Sequence, residues 1–127
     1  MRFLTIYKAA ETGQPPTQQH MDDMNRLIQE MIGAGTLIST EGCLPTALGA
    51  RVRRDGDTIT VTDGPFTEAK EVVGGFAIIE ATSKEHAIEL TRRFLQVAGD
   101  GESEIRQLYE VPAFDSATTG SAAAAQV

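Results

Sequence analysis

Residues 72–81 read VVGGFAIIEA, and the fold class is inferred from this stretch first. It is rich in β-branched and apolar side chains and carries almost no charge, which is typical of a strand in the interior of a sheet. Gly74 and Gly75 interrupt it, and such glycines mark either a β-bulge or a close backbone approach, for instance to a ligand. Ser83 follows as a helix N-cap, and the amphipathic spacing after it predicts a helix to about residue 97.

A second strand–helix pair lies near the N-terminus. Residues 2–8 (RFLTIYK) are short, aromatic and β-branched, and they predict a strand. Thr17 is an N-cap for a helix over residues 18–34, and residues 36–40 (TLIST) predict the next strand. The apolar positions of this first helix recur at spacings of three and four: Met21, Met24, Leu27, Ile28, Met31 and Ile32. Such a stripe packs a helix onto a sheet.

Two further strands form a hairpin between these pairs. Residues 47–54 and 58–62 flank Asp55-Gly56, a dipeptide that tolerates the positive φ of a tight turn. Residues 104–111 (EIRQLYEV) predict the last strand. The order is that of a ferredoxin-like α+β domain, a βαββαβ unit with an inserted β-hairpin and with two helices on one face of an antiparallel sheet.

Composition limits the partners and the compartment. The 18 acidic and 11 basic side chains give a formal net charge of -7, which repels phosphate backbones, so we expect no nucleic acid and no anionic membrane as a partner. Cys43 is the single cysteine, and no apolar run is long enough for a secretion signal or a membrane span, so we expect a cytoplasmic protein. We place one domain at residues 1–112 and expect residues 113–127 to be a disordered low-complexity tail.

Both faces of the predicted sheet are apolar. Alternation puts Leu4 and Ile6 on one face of the first strand, with Phe3 and Tyr7 on the other. The later strands divide in the same way, with Phe76 and Ile78 against Val73, Ala77 and Ile79, and with Ile105, Tyr109 and Val111 against Leu108. Two helices cover one face of a four-stranded sheet, and an uncovered apolar face would be adhesive. We therefore predict a homodimer in which two sheets pack face to face.

The most unusual stretch is residues 63–71, DGPFTEAKE. Pro65 fixes its own φ and restricts Gly64, so the chain must turn sharply after Asp63. Asp63 either accepts hydrogen bonds from the amides of this turn or presents its carboxylate, together with the Phe66 ring, at the mouth of a pocket.

Residues 63–71 resemble the motif of the DGPF-domain proteins, a branch of the YCII-related family. Residues 41–45 (EGCLP) resemble the family's EG-x-L segment, and Gly74-Gly75-Phe76 is similar to the G-G-[FY] that follows the motif. Residues 51–53 (RVR) and 104–106 (EIR) stand where the family has similar segments. The resemblance spans nearly the whole expected domain and implies a dimeric ferredoxin-like α+β barrel.

The resemblance also implies a range of functions. Most DGPF-domain proteins have no established reaction, whereas their YCII relatives are suspected to be cofactor-free enzymes that use a His–Asp pair, by likeness to muconolactone isomerases. The residues His20 and Met21, with Met24 three later, resemble the YCII pattern at the start of the first helix, although the family's preceding Arg-Pro is missing. Family genes often lie beside those for ECF-type sigma factors, which suggests a regulatory setting.

Two hypotheses follow for the function. The first is a cofactor-free isomerase or lyase acting on a small organic acid, with His20 and Asp63 as catalytic pair. Its substrate would be bound by Tyr7, Phe66 and Arg106 in a pocket between the sheet and the first helix. The second is a non-catalytic sensor of a small ligand, or a regulatory partner of a sigma factor, in which His20 is a packed or solvent-facing residue without a chemical role.

Other chemistry is not indicated. The histidines, the cysteine and the acidic residues form no zinc-ligand spacing, and there is no glycine-rich phosphate loop, so we expect no metal and no cofactor. Cys43 has no histidine near it in sequence, and we expect it to be a small buried apolar residue rather than a nucleophile.

Overall fold

The structure is a computed structural model that describes residues 1–110 of the chain. The predicted tail at residues 113–127 and the predicted boundary at residue 112 lie outside the described residues. In chain order the elements are β1 (Arg2–Ala9), α1 (Gln18–Gly33), β2 (Leu37–Gly42), a short 3₁₀ helix (Thr46–Leu48), β3 (Ala50–Asp55), β4 (Thr58–Asp63), β5 (Val72–Glu80), α2 (Lys84–Ala98) and β6 (Glu102–Gln107).

Four strands form one antiparallel sheet in the order β2-β5-β1-β6, while β3 and β4 pair with each other as a separate hairpin. The α+β class and the ferredoxin-like arrangement with an inserted hairpin are therefore confirmed. The nearly uncharged strand β5 lies between β2 and β1, as its composition predicts. The hairpin leaves the sheet after β2 and returns to it at β5.

Both predicted helix caps are present. The Thr17 hydroxyl accepts the His20 backbone N–H at 3.1 Å, and the Ser83 hydroxyl accepts the His86 backbone N–H at 3.0 Å. These bonds satisfy amides that have no carbonyl partner within the helix. The buried core lies between these helices and one face of the sheet, and its members are Phe3, Leu27, Met31, Ile79, Ala81, Ala87 and Leu90.

The last strand is shorter than predicted. It ends at Gln107 rather than at residue 111, and Tyr109 is 86% exposed. The reason is the length of its neighbour: β1 begins at Arg2, whose carbonyl accepts the Leu108 N–H at 2.9 Å. Residues 108–110 therefore lie past the start of β1 and have no strand opposite them within the described part of the chain.

Gly74 forms a bulge in β5. Tyr7 lies opposite Gly75 and Lys8 lies opposite Val73, so Gly74 has no partner in β1. The bulge reverses the alternation, and Val73 consequently joins Lys8 on the sheet face that the helices do not cover. The prediction that grouped Val73 with Ala77 and Ile79 is wrong for this reason.

The second face of the sheet, which we call the open face, carries an apolar centre. Register places Leu4 opposite Ile78 and Ile6 opposite Phe76. Because side chains alternate, these four lie on the side away from Phe3 and the helices. Phe76 remains 37% exposed. Within residues 1–110, the helices pack only on the other face.

Candidate functional site

A cavity of about 530 Å³, here the inner cavity, lies between the helices and the covered face of the sheet. Most of its lining is aliphatic, methionine or aromatic: Met21, Met24, Leu27, Ile28 and Met31 of α1, Leu90 and Phe94 of α2, and Tyr7, Leu37, Ala77 and Ile79 of the sheet. Ligand pockets range over about 300–1,000 Å³. The volume therefore suits a small organic molecule.

A second depression of about 860 Å³, here the outer recess, adjoins the inner cavity. It is lined by the β1–α1 loop over residues 10–17, by residues 43–46 after β2, and by residues 72–74 at the start of β5. Four residues line both spaces, namely Tyr7, Pro16, His20 and Gly74. These four form the boundary between the recess and the cavity.

His20 stands at this boundary because of where α1 begins. Thr17 caps the helix, which makes His20 its third residue, and the side chain is half-buried against both spaces. The chain's other histidine is engaged elsewhere: His86 Nδ1 accepts the Thr82 backbone N–H at 3.0 Å. Among the described residues, His20 is thus the imidazole that a ligand in the cavity would meet.

Tyr7 is a fixed wall of both spaces. Its hydroxyl donates to the Asp100 carbonyl oxygen at 2.7 Å, and its ring meets Phe94 edge-on with centroids 5.4 Å apart. Burial, followed by the charges of Asp100 and Glu71, raises the pKa of the Tyr7 hydroxyl above its ordinary value. At neutral pH the hydroxyl is protonated, and its hydrogen bond to Asp100 is already formed. Tyr7 therefore shapes the cavity rather than donating a proton to a ligand.

Two glycines make room for the Tyr7 ring. A Cβ on Gly101 would lie 2.7 Å from Tyr7 Cε1, and a Cβ on Gly74 would lie 3.3 Å from Tyr7 Cδ2. Gly101 also has a φ of 150°, in a region that side chains disfavour. The bulge that the sequence predicts is therefore present at Gly74, and the same glycine lies close to the Tyr7 ring.

Asp63 lies away from this boundary. It is exposed at the end of β4, opposite Ala50, and it lines neither the inner cavity nor the outer recess. Within residues 1–110, no hydrogen bond or ion pair joins Asp63 to His20. The turn is held instead by the Gly64 N–H, which donates to the Gly49 carbonyl at 2.9 Å.

Phe66 is also part of the hairpin base rather than of the cavity lining. The guanidinium carbon of Arg51 lies 3.8 Å from the centroid of its ring, a cation–π contact, and Arg51 also pairs with Glu68 at 2.6 Å. The Phe66 backbone N–H donates to the Thr46 hydroxyl at 3.2 Å. The rigid turn of the motif thus presents its aromatic ring to Arg51.

Arg106 lies on the open face. It is opposite Leu4 in the sheet register, whereas the neighbouring Ile105 is opposite Thr5 on the covered face. Its guanidinium contacts Glu104 at 3.2 Å. Strand alternation therefore separates Arg106 from the space between sheet and α1, in which sequence reasoning expected it.

Sequence reasoning missed the contact that attaches the hairpin to the sheet. Glu11 accepts the Thr46 backbone N–H at 2.7 Å and the Thr46 hydroxyl at 2.6 Å. A Cβ on Gly64 would lie 1.6 Å from the Thr46 carbonyl oxygen. We call Glu11, Thr46 and Gly64 the joint. It links positions up to 53 apart in sequence, and no local pattern signals it.

Cys43 is exposed and lines the outer recess. The expectation of a buried cysteine is wrong, because the chain after β2 leaves the sheet at this point instead of entering the core.

The charge distribution around both spaces is one-sided. Within the described lining there is no lysine or arginine, while Glu11 lines the outer recess. Over residues 1–110, no group of three or more potential metal ligands is found, and no helix is long and apolar enough to cross a bilayer.

The fold and the cavity define a ferredoxin-like α+β protein with an apolar space under its helices. Comparison with known proteins makes the class specific: the model of the YCII-related domain matches residues 1–112, and the chain belongs to that family. A protein of Rhizobium meliloti (strain 1021) described as uncharacterized is 30% identical over 89 residues, which is 69% of this chain and 72% of that protein.

Proposed function

We propose that the protein binds a small, largely apolar organic molecule in the inner cavity and that His20 acts on it as a cofactor-free general acid or base. The observation that carries the proposal is the position of His20 at the boundary of the inner cavity and the outer recess. Imidazole is the side chain best suited to exchange protons near neutral pH. The reaction class is a proton transfer between two atoms of one ligand, as in an isomerase.

The lining supports an apolar ligand more than an organic acid. A carboxylate is held in proteins by arginine or lysine in most well-built sites, and the described lining offers neither. Methionines such as Met21, Met24 and Met31 adapt their shape to different ligands because their side chains are unbranched and polarizable. We therefore place the apolar body of the ligand among them and its single polar end at His20.

Asp63 has no part in this version of the mechanism. A histidine and its orienting carboxylate need a direct hydrogen bond or one bridging water, and Asp63 lies outside the lining of both spaces. His20 then works alone, taking a proton from the ligand and returning it to another atom of the same ligand.

Ligand binding is tested with a matched pair of dyes, neutral N-phenyl-1-naphthylamine and its anionic 8-sulfonate. The neutral dye should bind at least roughly 10-fold more tightly, because the sulfonate would lose its hydration without gaining a cation. Met24→Glu should abolish binding, whereas Ile32→Glu, an exposed position of the same helix, should not. Equal binding of the two dyes, or binding indifferent to Met24→Glu, would contradict the apolar site.

Proton transfer is tested with 2-tetralone, a neutral apolar ketone, by following deuterium uptake from solvent beside its carbonyl. The wild-type protein should accelerate uptake, His20→Gln should lose the acceleration, and His86→Gln should keep it. A protein that binds the dye but gives His20-independent uptake would favour the alternative, a non-catalytic sensor, and a pull-down with an ECF-type sigma factor would then test the regulatory version.

We also propose that the protein is a homodimer joined through the open face. The apolar centre formed by Leu4, Ile6, Phe76 and Ile78 supports this, because a contiguous apolar patch on a soluble protein is usually covered by a partner. Sedimentation equilibrium at micromolar concentration should give twice the chain mass of 13.6 kDa. A single-chain mass across that range would refute the homodimer.

A further inference from the structure

One face of the hairpin carries three aliphatic side chains, flanked by Arg54 and Asp63, and the other face is polar throughout. Register puts Val52 directly opposite Val61 and Arg54 opposite Ile59. Val52, Ile59 and Val61 thus share one face, which we call the arm face, and they are 70%, 64% and 65% exposed. The threonines of β4 lie on the reverse: Thr58, Thr60 and Thr62.

Aliphatic residues on one face and polar residues on the other are typical of a sheet whose aliphatic face packs against another element. A hairpin with two wet faces has no need of aliphatic pairs, and an isolated two-stranded hairpin is marginally stable in water. Within residues 1–110, every residue of β3 and β4 is exposed, and neither strand packs on a helix or on the four-stranded sheet. The arm face is therefore built for a surface outside the described chain.

Several contacts hold the base of the hairpin in place, whereas the arm face is exposed. The joint holds the 3₁₀ helix to the β1–α1 loop, and the Arg51–Phe66 contact braces the turn that follows β4. A segment whose direction is set in the free protein loses little freedom when it binds. The hairpin is consequently a preorganised arm.

The area available on the chain indicates a second copy as the occupant. Four strands about 4.8 Å apart and about 20 Å long give the open face a footprint of about 400 Å². A stable interface buries about 800 Å² per partner, so the open face alone falls short by about half. A hairpin footprint is about 200 Å², and in a symmetric dimer each copy gives one hairpin and receives one. The open face, the hairpin that each copy gives and an equal area that receives the partner's hairpin together amount to about 800 Å², the usual size.

We propose that the arm face, formed by Val52, Ile59 and Val61, packs against the second copy of the chain in the homodimer. This inference rests on the proposed homodimer and adds to it the surface that completes the interface. The arms would be exchanged reciprocally around the two-fold axis.

The test compares two double variants by sedimentation equilibrium. Val52→Asp with Val61→Asp places charges on the arm face, and it should weaken the dimer by roughly 100-fold or more, since two buried apolar contacts are replaced by desolvated charges. Thr60→Asp with Thr62→Asp places the same charges on the reverse of β4, and it should change the dissociation constant by less than about 3-fold. Circular dichroism of both variants checks that they fold.

The outcomes separate the two proposals. A monomeric wild-type protein overturns both the homodimer and the arm. If the wild-type protein is a dimer and the Val52→Asp, Val61→Asp variant has the same dissociation constant, the proposal for the arm face is refuted. The open face would then be the whole interface. If the aspartate variant does not fold, Val52→Thr with Val61→Thr, which keeps shape and strand preference, should still weaken the dimer by roughly 5-fold, and an unchanged constant would overturn the arm.

Discussion

The four-stranded sheet and the hairpin consist of similar antiparallel strands, but they differ in what covers them. On the sheet, Phe3 is 2% exposed beneath the helices. On the hairpin, Val52 and Val61 lie directly opposite each other and are 70% and 65% exposed within the single chain. Strand alternation thus sets which side chains share a face, whereas the elements packed nearby set whether that face is buried.

The two regions meet at the joint, and the DGPF segment belongs to it. Gly64 passes so close to the Thr46 carbonyl that a larger residue has no room, and Phe66 packs beneath Arg51. The motif therefore serves to anchor the hairpin in this chain. Its unusual sequence reflects tight packing against the 3₁₀ helix, and not proximity to His20.

The loss of unfolding free energy should differ most between Phe3→Ala in the sheet and Val52→Ala in the hairpin. Truncating this buried ring should cost about 3–5 kcal/mol of unfolding free energy, because it leaves a cavity in the core. Val52→Ala should cost less than about 0.5 kcal/mol in dilute monomer, as for exposed positions in general. Urea denaturation measures both. A Val52→Ala loss as large as that of Phe3→Ala in dilute solution would mean that the hairpin packs on its own chain.

Gly64→Ala should lower the unfolding free energy by an intermediate amount, and the structural change should be centred on the joint. The new methyl group would overlap the Thr46 carbonyl, and relieving such an overlap typically costs about 1–3 kcal/mol. Gly33→Ala is the matched control, since a methyl group added there would meet nothing within 4 Å and the φ of Gly33 is not positive. That control should be neutral or slightly stabilising, because alanine is the better helix former. Thr46 amide chemical shifts that move as much in Gly33→Ala as in Gly64→Ala would contradict the assignment of the joint.

Acidification should break the hydrogen bonds between Glu11 and Thr46. Of the three changes, this one should have the smallest effect on stability. The hydrogen bonds from the Thr46 hydroxyl and amide hold the pKa of Glu11 below its usual range. A carboxyl whose pKa is lowered by folding contributes stability above its unfolded pKa and loses it as the pH falls through the folded pKa. The Thr46 amide resonance should therefore shift only below the ordinary glutamate range, and Glu11→Gln should remove that transition. A Thr46 shift centred at the ordinary glutamate pKa would show that the bond is absent in solution.

Much of the fold was predictable because it depends on local signals. Thr17 and Ser83 cap their helices as expected, and the Asp55-Gly56 turn joins β3 to β4. The end of β6 was not predictable, since it depends on where β1 begins. The prediction of a strand from residue 47 is wrong for Ala47 and Leu48, which belong to the 3₁₀ helix at Thr46–Leu48. That helix is held through Thr46 by Glu11, a residue 35 positions earlier.

The candidate site was predictable only in part. His20 and Tyr7 reach the same boundary because α1 starts beside the end of β1, as the element order indicates. Arg106 lies on the open face because it is opposite Leu4, one residue away from a position on the covered face. Asp63 lies at the end of β4 in the hairpin. The methionines of α1 were visible as a helical stripe, but a stripe does not say whether it fills a core or lines a cavity.

Periodicity and backbone preferences over a few residues made most of the elements, both helix caps, the α+β class and the two apolar faces of the sheet predictable from sequence. The cavity beside His20 and the hydrogen bonds from Thr46 to Glu11 arise only from tertiary packing. Tertiary packing also leaves the hairpin apart from the helices and the four-stranded sheet, with its aliphatic side chains exposed within residues 1–110. These features join residues far apart in the chain, and their energies depend on distances that no local pattern contains.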